Sequence, residues 1–199
     1  MAFQLVQGIN VDNIGNVHSA YLADNNGICA VLSADVIEEI VSGLAEKLCG
    51  PVFFFLEIPC SPEEEKQLRK NKNDPYHYKI FYLDNCTIPV AKAIMKRYGE
   101  LLINDGVSRF GFGSHESEEE IYCKDYQTVS VYGNTDKFKN VFDEMNIPAE
   151  AEMKTLWDVL SDDNIGTCST VEINGETVND IAENLKDEGM YLADIIEEK

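Results

Sequence analysis

Basic side chains are scarce in this chain: 16 Lys and Arg stand against 36 Asp and Glu, for a formal net charge of −20 over 199 residues. A field of that sign repels nucleic-acid phosphates and anionic lipid and attracts cations and basic proteins. DNA and RNA are therefore set aside as ligands. Long apolar runs are also missing, which excludes a membrane-spanning helix, and the residues after Met1, Ala-Phe-Gln-Leu-Val-Gln, carry neither the basic flank nor the apolar core of a signal peptide. The expectation is a cytoplasmic protein. No Cys-x-x-Cys pair occurs among the six cysteines, and the three histidines, His18, His77 and His115, have no partner at a metal-ligand spacing. No cofactor is expected. No segment of 20 to 50 residues repeats, so a solenoid or propeller is excluded.

What is present is an ordinary globular composition, 44% hydrophobic and 26% charged. That favours one domain, with room for a small C-terminal lobe from about residue 149. Tyr21-Leu22-Ala23 and the apolar run 28–32 flank Asp24-Asn25-Asn26-Gly27, a loop of hairpin type. Ser33 is a candidate cap for a helix whose Val36, Ile37, Ile40, Val41, Leu44 and Leu48 form one apolar stripe ending at Gly50-Pro51. The run 52–58, with three consecutive Phe, reads as an interior strand buried on both faces. Ser61-Pro62-Glu63-Glu64 carries the signature of a helix start, and a strand is expected over 76–83. Thr87 and Pro89 open a helix carrying Val90, Ile94, Tyr98, Leu101 and Leu102, closed by Asn104-Asp105-Gly106. Strands follow over 107–112, near Ile121-Tyr122, and over 129–132. A helix capped by Thr135, a short one near 155–160 and a closing one with Val178, Ile181 and Leu185 complete the reading. The fold class is α+β, a mixed β-sheet with its interior strand at 52–58 packed by amphipathic helices.

Charge is unevenly spread. Residues 1–60 hold 7 acidic and 1 basic side chains, residues 61–110 hold 7 and 9, and residues 111–199 hold 22 and 6. The last segment supplies most of the negative field, so it should carry an acidic face able to meet a basic protein. Its candidate partner-binding residues are Glu116, Glu118, Glu119 and Glu120 in one run, with Asp158, Asp162 and Asp163 in another. With Asn164, these carboxylates could also hold a divalent cation, but they lack the spaced oxygens and central Gly of an EF-hand loop; a solvated face is the plainer reading.

Three catalytic readings compete with that one. Gly111-Phe112-Gly113 begins like a phosphate-binding loop, yet Glu116 stands where a third Gly belongs and would repel a pyrophosphate; a strand entering an exposed turn explains the same residues. His115 beside Glu116 is a conceivable acid/base pair. Cys60 with His77, or Cys123 with His115, would give a thiol nucleophile if the fold joined them.

The segments Phe53-Phe54-Phe55-Leu56-Glu57-Ile58-Pro59 and Leu102 through His115 resemble stretches of bacterial proteins, as do Thr155-Leu156-Trp157-Asp158 and Gly189-Met190-Tyr191-Leu192-Ala193. In acidity, size and these segments the chain resembles the immunity proteins of polymorphic-toxin and contact-dependent-inhibition loci. The resemblance implies a non-catalytic cytoplasmic protein that blocks a co-encoded toxin domain, such as a nuclease with a basic cleft. It assigns no residue a role. An enzyme of another type, or an acidic adaptor, are the alternatives.

Overall fold

The computed structural model describes residues 2–198, and none of their helices is long and apolar enough to cross a membrane. Eight strands form the main sheet: β2 (Ala20–Ala23), β3 (Gly27–Val31), β4 (Val52–Pro59), β5 (His77–Cys86), β6 (Arg109–Ser114), β7 (Glu119–Lys124), β8 (Thr128–Tyr132) and β10 (Tyr191–Glu197). Their spatial order is β10-β5-β4-β6-β7-β8-β3-β2. A two-stranded ribbon, β1 (Ile9–Val11) with β9 (Gly166–Cys168), lies beside it. The helices are α1 (Ile37–Lys47), α2 (Pro62–Leu68), α3 (Ile88–Asn104), α4 (Thr135–Glu144) and α5 (Val178–Asn184). The α+β class is as expected. The sheet is not mixed, however: every pairing in it is antiparallel. Short hairpins reverse the chain between β2 and β3, β6 and β7, and β7 and β8, and the return through α2 does so between β4 and β5. Longer connections bring β6 beside β4, β8 beside β3 and β10 beside β5, also antiparallel.

β4 is the interior strand, paired to β5 on one side and β6 on the other, and seven of its eight residues are buried. Its even-numbered side chains, Val52, Phe54, Leu56 and Ile58, enter one apolar cluster with Phe110 and Phe112 of β6, Ile121 of β7 and Val129 and Val131 of β8. The same cluster takes Ile40, Val41 and Leu44 from α1, Ile94, Leu101 and Leu102 from α3, Phe138 and Phe142 from α4 and Ile181 from α5. The helices thus bury their stripes on one face of the sheet. Residues beyond 149 contribute to it as well, since Leu156, Val178, Ile181 and Met190 belong to the cluster while β10 extends the sheet and β9 pairs with β1.

Local chemistry explains most element ends. At α2, Ser61 and Glu64 close a capping box, and α3 begins at Thr87 with Pro in its first turn. Ser33 does not cap α1. Its carbonyl accepts from Val36 N and Ile37 N, forming a turn that precedes a helix with Val36 at its N-cap, while its hydroxyl accepts from Gln4 N at 2.9 Å and donates to Asp35. At α4 the cap is Asn134, which accepts from Asp136 N, and Thr135 is the first helical residue. Two buried polar side chains tie the chain's distant parts together. Gln127 accepts from Val6 N at 3.0 Å and donates to Leu32 O at 2.7 Å, which fixes the N-terminal segment against the β7–β8 turn. Asp105 accepts from Val107 N, Ser108 N, Val171 N and the Thr170 hydroxyl, which holds the end of α3 to the segment after β9.

β10 is an edge strand with Tyr191, Leu192 and Ile195 exposed. Its register slips between Leu192 and Asp194, and the Asp194 carboxylate takes the Ile195 N–H at 2.8 Å. A bulge and a charge in mid-strand both discourage edge-to-edge pairing.

Phe54 is fully buried between the helices and Phe112, whose ring lies 5.2 Å away. Phe54→Ala is expected to lower unfolding free energy by about 3–5 kcal/mol, read as a fall in the urea midpoint with an unchanged slope. The cysteines are all free, with Cys49 and Cys168 exposed and Cys60, Cys86 and Cys123 buried. Thiol titration is expected to find six reactive groups in denaturant and one fast one, Cys49, in the native protein, with Cys168 slower because burial pushes its thiol up.

Candidate functional site

Alternation along the strands puts the other half of the β-sheet residues on a second face, which the helices leave free among the described residues. On β4 these are Phe53, Phe55 and Glu57. Phe55 pairs with Gly111 and Phe53 with Gly113, and a Cβ at either glycine would fall within 2.5 Å of the ring above it. The glycines of the Gly-x-Gly segment are therefore the floor on which two Phe rings lie, inside strand β6, and not a phosphate-binding loop. Around them the rings run on: His115 stacks on Phe53 at 4.6 Å, Tyr82 lies 5.6 Å from Phe53 and 5.9 Å from Phe55, and Tyr122 meets Phe55 edge-on at 5.2 Å. Phe53 and Phe55 are buried although no helix lies over them, which is how a strand can be covered on both sides with helices on only one.

A polar network occupies one end of this face. Arg109 donates to Asp125 Oδ1 and lies 2.8 Å from Oδ2, reaches Glu198 at 3.3 Å and Glu57 at 3.8 Å, and covers the Tyr78 ring at 4.4 Å. Tyr122 donates its hydroxyl proton to Glu57 at 2.7 Å. Burial opposes the Arg109 charge, but the two-point bond to Asp125 outweighs it and raises its pKa, so the guanidinium stays charged. Burial pushes the Glu57 carboxyl above its ordinary range, against the opposing pull of Tyr122 and of an Arg109 already shared with Asp125 and Glu198. Burial likewise raises Tyr78 to about 12 and raises Tyr122 further, so both phenols stay protonated. Every charged group here has its partner within the chain, which makes the network a lock holding β4, β6, β7 and the C-terminal segment together. The next residues, Tyr126 and Gln127, both take left-handed backbone angles, with φ of 53° and 57°. That strain is held by the buried amide of Gln127 and by Asp125 on Arg109.

The other end of the face is the tip of the β6–β7 hairpin, where the acidic run lies. Glu116 and Glu118 are exposed and Glu120 is half-buried. Glu119 is not on an acidic face: it is 4% exposed, points to the helix side, and is bonded to Lys137 of α4 and to the Ser117 hydroxyl at 2.7 Å. It belongs to the fold. The exposed residues Asp158, Asp162 and Asp163 sit at the opposite end of β7, beside a 3-10 turn at Leu156–Val159 whose Trp157 packs edge-on against Tyr126 at 4.5 Å. The length of β7 alone separates the two acidic segments by about 17 Å, twice the Debye length of about 8 Å at physiological salt. They do not form one face. Asp158 is further engaged by the backbone N–H and hydroxyl of Thr155, which hold its carboxyl below the ordinary range.

Neither thiol pair is brought together. Cys123 points into the core, with its thiol pushed up by complete burial, whereas His115 lies on Phe53 at the hairpin tip. Cys60 and His77 meet only through their backbones, at 2.9 Å, because the His77 ring is turned to Glu65 at 3.2 Å. Among the described residues no group of three or more His, Cys, Asp and Glu is placed to hold a metal ion. No family model, curated protein or solved structure matches the chain.

Sequence reasoning missed the aromatic half of this surface. Tyr82, Tyr122 and Tyr132 recur in phase with Phe53 and Phe55 once strand register is known, but their spacing says nothing without it. Because the Glu57 carboxyl has a raised pKa in the folded state, its contribution to stability is fully present below the unfolded carboxylate pKa and is lost as pH rises through the folded one. Relative to Glu57→Gln, which keeps an acceptor for Tyr122, the parent protein is expected to gain stability as pH falls from 7 toward 4.5. Paired denaturant titrations across that range check the sign, and a difference independent of pH would refute it.

Proposed function

We propose that this chain is a non-catalytic binding protein that captures a basic protein partner on the helix-free face of its sheet. The observation that carries the reading is the make-up of that face, a bed of aromatic rings edged at the hairpin tip by carboxylates without intramolecular partners. Glu116, Glu118 and Glu120 form no ion pair among the described residues, while Glu119 and the Glu57–Arg109–Asp125 network do. Tyr, Trp and Phe with a charged rim are the composition of protein interfaces rather than of small-molecule pockets. The chain's negative field would steer a positive surface toward it and raise the association rate above the unassisted 10⁵–10⁶ M⁻¹s⁻¹, roughly.

The partner class is the one the immunity-protein resemblance implies, a co-encoded toxin domain with a basic cleft, which this acidic face would occupy in place of phosphates. A cytoplasmic location fits that role and the free cysteines. The residues proposed to contact it are Glu116, Glu118 and Glu120 with the adjoining rings; Asp158, Asp162 and Asp163 form a separate acidic patch around the exposed Trp157.

The test is association kinetics with the product of the adjacent reading frame. Double reversal, Glu116→Lys with Glu118→Lys, is expected to slow association about tenfold at low salt while changing dissociation less than about twofold, as rim charges do. Both positions are exposed, so the variant keeps its fold. The difference from the parent should vanish near 1 M salt, where the Debye length is about 3 Å. An association rate indifferent to salt and to the reversal would remove the reading.

A further inference from the structure

Beside the hairpin tip, the helix-free face opens into a groove of about 510 Å³ lined by Phe53, Tyr82, His115, Tyr132 and the hairpin residues 114 and 118–120. Register explains its shape. Gly113, Glu120 and Tyr132 lie in one cross-strand row, and Phe53 pairs with Gly113 in the same row. Because Gly113 has no side chain, the row presents Phe53 on one side of Glu120 and Tyr132 on the other, so a carboxylate stands between two aromatic rings.

That carboxylate is unusual among the buried or half-buried acids of this protein. Glu57, Glu65, Asp105 and Glu119 all accept bonds from within the chain. Glu120 makes no hydrogen bond or ion pair among the described residues, although partial burial already raises its pKa, with Glu57 adding to that and Lys124 opposing it. The two nearest lysines are engaged elsewhere. Lys137 is bonded to Glu119, and Lys124 lies 4.8 Å from the Tyr122 ring centre and 5.5 Å from that of Tyr132, donating to the Tyr132 hydroxyl at 3.0 Å. Lys124 shows beside the groove that this surface accepts a cation, against the Tyr122 ring and at the Tyr132 hydroxyl. On the groove side the corresponding cation has to come from outside the chain.

We propose that this groove is a binding site for a guanidinium group, the side chain of an arginine presented by the basic partner, with Glu120 as its counter-charge and the exposed ring of Tyr132 as the surface it stacks on. A planar guanidinium stacks on aromatic faces and sheds water more readily than an ammonium, which suits a half-buried carboxylate beside an exposed ring. Entry of such a group would also relieve the uncompensated charge that burial has left on Glu120. The inference takes the identity of the partner from the binding reading above, whereas the chemistry of the groove stands on its own residues.

The probe is Nα-acetyl-arginine amide, with Nα-acetyl-citrulline amide as its uncharged counterpart, titrated at low salt and followed by amide NMR shifts. The arginine compound is expected to bind in the millimolar range and to shift signals of residues 113–120 and 132, while citrulline leaves them in place. Glu120→Gln, equal in size, is expected to weaken arginine binding at least tenfold, and Tyr132→Ala several-fold; unchanged spectra elsewhere verify that both variants fold. Equal responses to arginine and citrulline, or arginine binding indifferent to Glu120→Gln, would overturn the site. The two readings fail separately. If arginine does not bind but reversal at Glu116 and Glu118 slows the partner, the groove is refuted and capture of a basic partner stands. If arginine binds as described but partner association ignores the reversals, the groove stands and the proposed function falls.

Discussion

The close approach of β6 to the rings of β4 is the contact on which the rest of this structure depends. Gly111 and Gly113 have no side chains, so Phe55 and Phe53 lie flat on strand β6, and any Cβ there would collide with a ring. The alternate residues of the same two strands, Phe54, Leu56, Phe110 and Phe112, fill the core beneath the helices. One pair of strands therefore supplies both the centre of the hydrophobic core and the aromatic bed of the opposite face. A one-residue slip in their register would exchange the two sets and destroy both.

Polar chemistry then secures what this packing positions. Arg109 sits at one end of β6 and gathers Glu57, Asp125 and Glu198, which belong to β4, to the turn after β7 and to the C-terminal end. Lys137 draws Glu119 under the opposite end of the hairpin. With those charges neutralised locally, the acidic groups left over at the tip are Glu116, Glu118 and Glu120. The net charge of −20 is the excess that such pairs leave over, most of it on carboxylates facing solvent. Glu116, Glu118 and Glu120 are the part of that excess that adjoins the aromatic face.

Much of the fold is legible in the sequence because the strongest signals are local. The apolar stripe of α1, the capping box at Ser61, the hairpin around Asp24–Gly27 and the seven-residue apolar run of β4 all follow from residues near one another in the chain. The ribbon of β1 with β9 joins two three-residue strands more than 150 positions apart, and β10 is a bulged edge strand with mixed polarity, so neither carries a periodic pattern. The site was half legible for the same reason. Charge counting finds the acidic hairpin, but the burial of Glu119 depends on Lys137, which α4 delivers from eighteen residues away. The separation of the 158–163 segment follows from strand direction. The role of Gly111 and Gly113 is likewise fixed by a neighbouring strand, and a Gly-x-Gly spacing read along the chain points to a loop instead.

These relations reduce to one claim, that a partner is held on the aromatic, helix-free face and not on the helices or on the Trp157 patch. Amide hydrogen exchange on the chain with and without the product of the adjacent reading frame, the partner proposed above, tests it most directly. The expected result is slowed exchange at the tip of the β6–β7 hairpin, residues 114–120, and at Tyr132 and the residues after it, with the helices and residues 157–165 unchanged. Slowed exchange confined to α1, α3 and α4, or to residues 157–165, would contradict it.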